Sequence, residues 1–427
     1  MPHHCRSSIH LSVVSLIVVV ASVASCDRDQ DSPSDEDLTV LAELQLSAAE
    51  LPESPTNRYA DSAAAARLGR RLFFEPGLSA NGEIACASCH DPGLGFSDVR
   101  ERSLGTEGLP GARHSMPITT AALQPFLLWD GRADSAWRQP LFALENELEM
   151  DFTRAEVAHF IAERYAAEYE AAFGALPELD GVPLRAKPGD ELWETLAAEQ
   201  QDAVQRVFVN VGKAIEAYER QIVCVDTRFD QWLRGELELE ADELDGAARF
   251  IGSGCAGCHN GPAVSDGLFH NLGLSRADAT PVDTGRQAGL EVLLEDPLNG
   301  AGPYSDDPAA GEARIALALS ETSPLGAFRT ASLRGVGQRL RFGHLGAHTS
   351  LEAFIEDTYR RGRGGPGGRD GDGDGRGGDG DGDAGGIVGT LDPLLDEVDV
   401  GGGDPAAIAT FLRTMSCPDL PPELLEP

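Results

Sequence analysis

Aromatic side chains make up only 6% of this 427-residue chain, and positive charge is also scarce: 34 Lys and Arg stand against 70 Asp and Glu. A formal charge of −36 argues against nucleic acid as a partner, and an anionic membrane surface would repel such a body. A redox partner with a basic face would be attracted, although acidic surfaces usually serve only solubility. Beyond residue 20 no apolar run is long enough to span a bilayer. Strand signals are nearly absent, whereas Gly (49) and Pro (26) are plentiful. The length allows two or three domains with proper cores.

The eight cysteines sort by position. Cys5 and Cys26 belong to an N-terminal leader, four form two matching motifs, and Cys224 and Cys417 are left over. The motifs are Cys86-Ala87-Ser88-Cys89-His90 and Cys255-Ala256-Gly257-Cys258-His259. Cys-x-x-Cys-His is the attachment signal for c-type haem. Two thiols one turn apart add to the two porphyrin vinyl groups, and the adjoining imidazole meets the iron. A thioredoxin-like redox pair would need a βαβ setting, and half a zinc site would need a second thiolate pair nearby. Two covalently bound haem c groups are therefore expected, with Cys86, Cys89, Cys255 and Cys258 as attachment points and His90 and His259 as iron ligands. Buried porphyrin would supply the apolar surface that the side chains lack. The two spare thiols form a disulfide or remain as free buried cysteines.

Residues 1–26 read as an export signal, with Arg6 in the basic region and Leu11 to Val20 as the apolar stretch. Val23-Ala24-Ser25-Cys26 resembles a lipoprotein cleavage site, so a lipid anchor on Cys26 and a membrane-attached, periplasmic location are expected; an ordinary signal peptide or an uncleaved anchor is the alternative. Residues 27–60 read as an acidic tether, 61–200 as one haem domain and 201–427 as a second. Helices are expected from Ala63 to a stop near Pro76-Gly77, up to Gln139, and over 155–174, 202–221, 244–251 and 405–415. Val204, Val207, Phe208, Val211, Ile215 and Tyr218 fall at i, i+3, i+4, i+7 spacing and are read as core. The stretch from Phe269-His270-Asn271 to Phe328 reads as polar loop. The run 363–386 is rich in Gly, Asp and Arg, and Asp370, Asp372, Asp374, Gly375 and Asp381 are spaced like parts of a calcium loop; its many glycines favour low-complexity chain instead. The expected fold is mainly α: two cytochrome c-like haem domains in tandem, with few or no strands.

Several motifs in order resemble the bacterial di-haem cytochrome c peroxidases and their MauG-like relatives, from about Ala63 to Met415. They are Leu68-Gly69-Arg70-Arg71-Leu72-Phe73-Phe74, Arg113-His114-Ser115-Met116-Pro117, Trp129-Asp130-Gly131-Arg132, Glu149-Met150, Ala214-Ile215-Glu216-Ala217-Tyr218 and Arg228-Phe229-Asp230. Phe328-Arg329-Thr330-Ala331-Ser332-Leu333-Arg334 and Leu391-Asp392-Pro393 complete the series with the second haem motif. The resemblance implies that the first haem reacts with hydrogen peroxide and the second takes in electrons from a small donor such as a c-type cytochrome. It places Glu149 as the acid–base group, Gln139 as a residue positioning peroxide, and Trp129 between the haems. Glu149 alone would read as a surface residue of the acidic run 145–149, Gln139 as helix surface and Trp129 as core. Heterolysis of a peroxide nevertheless needs one group that takes a proton and returns it, as a carboxylate does.

Departures from the family pattern also carry information. A His that blocks the first iron in many relatives would lie between Asp91 and Arg113, where this chain has none. His114 stands where the family has an Asn holding an inter-domain calcium, and Arg339-Leu340-Arg341 replaces the other calcium-side positions, so these departures count against that ion. For the sixth position on the second iron, Tyr359 is the candidate metal ligand, with His344 and His348 as rivals. Met415, His159 and His270 read as structural, and Arg113 and Arg132 as support for propionates or for the contact between domains. The resulting expectation is a peroxidase reducing hydrogen peroxide to water. The alternatives are a MauG-like oxidase that modifies residues of a partner protein through high-valent iron, and an electron carrier without catalysis.

Overall fold

The computed structural model describes residues 32–47, 51–364, 386–401 and 404–427. The export signal and Cys26 lie outside these residues, as do Asp370, Asp372, Asp374, Gly375 and Asp381 of the Gly- and Asp-rich run. Among the described residues the chain is mainly helical, with two short strands, as expected. No described helix is long and apolar enough to cross a membrane.

The helices of the first part are α1 (Asp35–Ala42), α2 (Ala63–Phe73), α3 (Gln139–Glu145), α4 (Arg154–Arg164), α5 (Ala166–Phe173), α6 (Glu191–Glu194) and α7 (Ala198–Glu219). Those of the second are α8 (Arg228–Leu233), α9 (Ala241–Gly252), α10 (Arg286–Glu295), α11 (Pro308–Leu319), α12 (Leu351–Gly364) and α13 (Asp404–Arg413). Strands β1 (Phe269–His270) and β2 (Phe328–Arg329) pair antiparallel, with Phe269 opposite Arg329.

Each haem motif follows a helix that crosses a later helix at a glycine. The Ser62 side chain caps α2 by accepting from the Ala65 N–H. On that helix, a Cβ at Gly69 would come within 1.8 Å of the Ala214 carbonyl oxygen on α7. Gly246 on α9 meets the Ala407 carbonyl of α13 in the same way, at 2.1 Å. Only a residue without a side chain lets the two backbones approach so closely. The apolar stripe predicted on α7 is buried from Val204 to Tyr218. It joins Leu68, Leu72, Trp137, Leu141 and Ile161 in the core of the first part. Phe229, Phe250, Ile408, Phe411 and Met415 form the core of the second.

Packing changes several sequence expectations. The buried face of α7, which lies beyond the expected division at 200/201, packs against α2 and α4. The expected tether is also shorter than 27–60. Leu41 and Leu44 are buried in the second core, and the N–H of the buried Leu46 donates to Asp230 at 3.0 Å. The Arg334 guanidinium, itself paired with Asp230 at 2.9 Å and fully buried, donates to the Leu44 carbonyl. The helix read over 155–174 breaks at Tyr165, whose φ of −132° is non-helical and whose hydroxyl donates to Glu75. Gln139 opens a helix rather than closing one, since Pro140 sits in its first turn, where the missing N–H costs nothing. Helices α10 and α11 occupy the stretch read as loop. They bury few side chains, chiefly Arg286, Gly289, Leu293, Gly311 and Ala318, so they carry no apolar stripe to read.

Candidate active site and haem cavities

Two cavities open beside the two motifs. The first, about 1480 Å³ including its mouth, is lined by Cys86, Cys89 and His90. The second, about 1110 Å³, is lined by Cys255, Cys258 and His259. A one-turn 3₁₀ helix at Cys86–Ser88, and another at Cys255–Gly257, presents the thiols. Burial pushes Cys86 and Cys255 each up to about 12, the reverse of the low values that make a thioredoxin-like pair reactive.

The two imidazoles are held alike. His90 Nδ1–H donates to the Phe96 carbonyl and His259 Nδ1–H to the Val264 carbonyl, each at 3.2 Å. Both acceptor residues have positive φ, 57° and 47°, a backbone conformation that costs energy outside glycine. With Nδ1 engaged, Nε2 is the nitrogen left for a metal. Burial also lowers both imidazole pKa values, His259 to about 4, which keeps the neutral form that ligation requires. Thiol pair, oriented imidazole and roomy apolar cavity fit haem c at both places.

Gln139 and Glu149 line the first cavity, from opposite ends of the α3 segment. Asn146 Nδ2 donates to Glu149 Oε1 at 2.7 Å, and Thr106 N–H holds the Glu149 carbonyl at 2.9 Å. Burial raises the Glu149 pKa, while Arg132 and the Asn146 hydrogen bond pull it down less strongly. Trp129 lines both cavities, and its indole N–H donates to the His114 carbonyl at 2.8 Å. His114 also borders both, but Nδ1 donates towards the Arg100 and Glu101 carbonyls and Nε2 lies 3.3 Å from the Ser97 hydroxyl. Thus both His114 nitrogens have partners, and His90 is the other imidazole among the described residues lining the first cavity.

Tyr359 lines the second cavity, and burial raises its pKa, with Cys255 and Cys258 adding to the effect. The rivals are elsewhere. His344 stacks on Phe328 at 4.0 Å and meets Trp129 edge-on, and His348 pairs with Asp357 at 3.2 Å. Met415 is buried core. His270, read as structural, is clamped by Asp266 and Asp392 at 2.8 and 2.7 Å. Although burial opposes its charge, these carboxylates and Cys258 push it up to about 11.

Arg113 and Arg132 serve carboxylates of the protein. Arg113 forks onto Asp283 at 2.8 and 2.9 Å and shares Asp130 with Arg132, tying the two parts together. Burial disfavours Asp130 as an anion, but Arg132 and Arg113 outweigh it and hold its pKa below the usual value. Sequence reasoning did not single out Arg329 and Arg339 as cavity residues, yet both line the second cavity and Arg329 borders the first as well. The quoted motifs contain both, but their isolation from carboxylates could not be read from them.

The family model for di-haem cytochrome c peroxidase matches residues 63–238. Cytochrome c551 peroxidase of Nitrosomonas europaea is 27% identical over 298 residues, covering 69% of this chain and 73% of that protein. Methylamine utilization protein MauG of Methylorubrum extorquens is 30% identical over 261 residues, covering 58% and 66%. A MauG-like protein associated with microbial copper homeostasis shares the fold, with a TM-score of 0.58 at 24% identity over 86% of this chain and 93% of its own. The diheme peroxidase of Burkholderia thailandensis does so with a TM-score of 0.57 at 19% identity, over 87% and 89%. With its paired Cys-x-x-Cys-His cavities, the chain belongs to the di-haem cytochrome c peroxidase family, as an oxidoreductase carrying two haem c groups.

Proposed function

We propose that hydrogen peroxide is reduced to two waters in the first cavity, with two electrons and two protons supplied. The electrons come from a small redox protein, such as a c-type cytochrome, through the second haem. The observation that carries this reading is the gathering of Glu149, Gln139 and His90 around one cavity, while Trp129 borders both. When bound, the haem supplies the iron that takes peroxide and passes electrons to it. His90, fixed through Phe96, offers Nε2 from one side. Glu149 Oε1 is occupied by Asn146, so Oε2 is the oxygen that takes the peroxide proton and returns it to the departing hydroxyl. The raised pKa suits a group that must hold a proton for part of the cycle. Gln139 orients peroxide from the start of α3. Trp129, its indole pinned by the His114 carbonyl, is the relay between the haems.

Steady-state turnover with reduced cytochrome c tests the assignment. Glu149→Gln should lower kcat about 10²- to 10⁴-fold, the span of general acid–base catalysis, with both haem spectra intact. Unchanged turnover would remove Glu149 from the mechanism.

A second reading, oxidation of residues on a partner protein or peptide as a MauG-like enzyme, is favoured by Tyr359 bordering the second cavity while His344 and His348 do not. Among the described residues, the second imidazole at the first cavity, His114, has both nitrogens occupied, which points the same way. The export signal and the lipid anchor on Cys26 would place either activity outside the cytoplasm. The inter-domain calcium of the family would meet His114 in place of the family's Asn and Arg339-Leu340-Arg341 at the other positions, and Arg339 there is a cation itself.

A further inference from the structure

In a chain with twice as many acidic as basic residues, cavity-facing arginines should find carboxylates easily. Most buried or half-buried arginines do: Arg113 pairs with Asp283, Arg138 with Asp296, Arg154 with Glu145, Arg286 with Glu321 and Arg334 with Asp230. Arg329 and Arg339 do not. Arg329 Nε donates to the Leu128 carbonyl at 3.2 Å and Nη2 lies 3.2 Å from Met116 Sδ, while Nη1 is buried with no partner. Arg339 Nη2 donates to the Ser332 carbonyl at 2.7 Å, and its Nε is likewise buried and unpartnered. Among the described residues neither guanidinium meets a carboxylate. Burial lowers the pKa of each to about 10, and for Arg329 the nearby Arg339 charge adds to it. Two unpaired, mutually repelling buried cations are strongly destabilising unless an anion joins them.

We propose that Arg329 and Arg339 form a two-guanidinium clamp for haem propionate carboxylates, Arg339 serving the second haem and Arg329 shared between the two. This rests on the two-haem reading. The placement supports the division, since Arg339 lines the second cavity alone and Arg329 lines both. A propionate is the anion each haem brings to its own cavity, and the planar guanidinium matches a carboxylate in two parallel hydrogen bonds. Trp129 is built into the same junction, because its carbonyl accepts from the Arg329 N–H at 2.9 Å. A fixed cation beside a haem favours the ferrous state, so the clamp raises the reduction potential of the electron-receiving haem.

The test is potentiometric titration of the two-haem protein, followed optically, with infrared redox-difference spectra of the carboxylate bands. Arg339→Gln should shift the second midpoint downward with little change in the first, Arg329→Gln should lower both, and Arg339→Lys should recover most of the second shift. Midpoints and carboxylate bands unchanged in both Gln variants would overturn the clamp. Should a Gln variant fail to mature, Arg339→Lys decides: a compact ammonium replaces the fork, so the propionate bands must move, and unmoved bands refute the proposal. Haem quantitation as the pyridine haemochrome separates the two failures, because fewer than two haems per chain in the parent protein would sink the two-haem reading instead.

Discussion

Glu219 shows how burial dominates a side chain's behaviour. It ends α7 beside the first cavity, is almost wholly buried, and leaves Oε2 without a partner. Burial, and then the charge of Glu216, raise its pKa well above the ordinary value of 4.5. Because the folded value exceeds the unfolded one, the stabilising contribution is complete below about pH 4.5 and is lost as pH rises through the folded value. Glu219→Gln should therefore raise Tm at about pH 9 and leave it unaltered near pH 4, as read by thermal melts across that range. Tyr359 makes a second prediction at this scale. If its phenolate ligates the second iron, Tyr359→Phe will change the resting electron paramagnetic resonance of that haem, and an identical spectrum would exclude the ligand.

Among the elements, the segment after the first motif holds the proposed acid–base carboxylate, Glu149, in place. Thr106 binds the Glu149 carbonyl, Asn81 Nδ2 binds the Thr106 carbonyl at 3.0 Å, and Gly105 packs directly against the Leu148–Glu149 backbone. A Cβ at Gly105 would lie 2.1 Å from the Leu148 carbonyl oxygen and 2.6 Å from that of Glu149. Gly105→Ala must push Glu149 aside. A displacement of about 1 Å can cost roughly 10²-fold, so kcat should fall on that scale while the second haem's spectrum stays constant. The Gly69 and Gly246 crossings obey the same steric rule, but they support the two cores rather than the site.

At the scale of the molecule, the Cys224–Cys417 disulfide, S–S 2.08 Å, joins the end of the first part to the C-terminal tail. The tail then returns to the first part: the Tyr218 hydroxyl donates to the Leu424 carbonyl at 2.6 Å, and Leu420, Leu424 and Leu425 pack beside Phe73 and Cys86. Together with the Arg113–Asp283 pair, this strap spans the division between the haem units. Cross-linking across so many residues chiefly restricts the unfolded chain, and removing a native disulfide typically costs about 2–5 kcal/mol. The double variant Cys224→Ser, Cys417→Ser should lower Tm accordingly. An unreduced digest should yield one linked peptide; two separately alkylated peptides would refute the bridge.

Local patterns were legible because the chemistry behind them is local. Covalent haem attachment needs two thiols and an imidazole at fixed spacing, so Cys86–His90 and Cys255–His259 could be read directly. The stripe on α7 was equally plain, since a helix buried along one face must repeat its apolar residues. Glu149, Gln139 and Trp129 became candidates only through resemblance, because nothing in their own neighbourhoods distinguishes them from surface or core. Tertiary structure alone decided that Trp129 borders both cavities, that Tyr359 rather than His344 or His348 reaches the second, and that Cys224 meets Cys417. Among the described residues, it alone left Arg329 and Arg339 without carboxylates. Each of these facts joins residues far apart in the chain, and the distance between such residues is set by how the helices pack, which spacing along the sequence does not record.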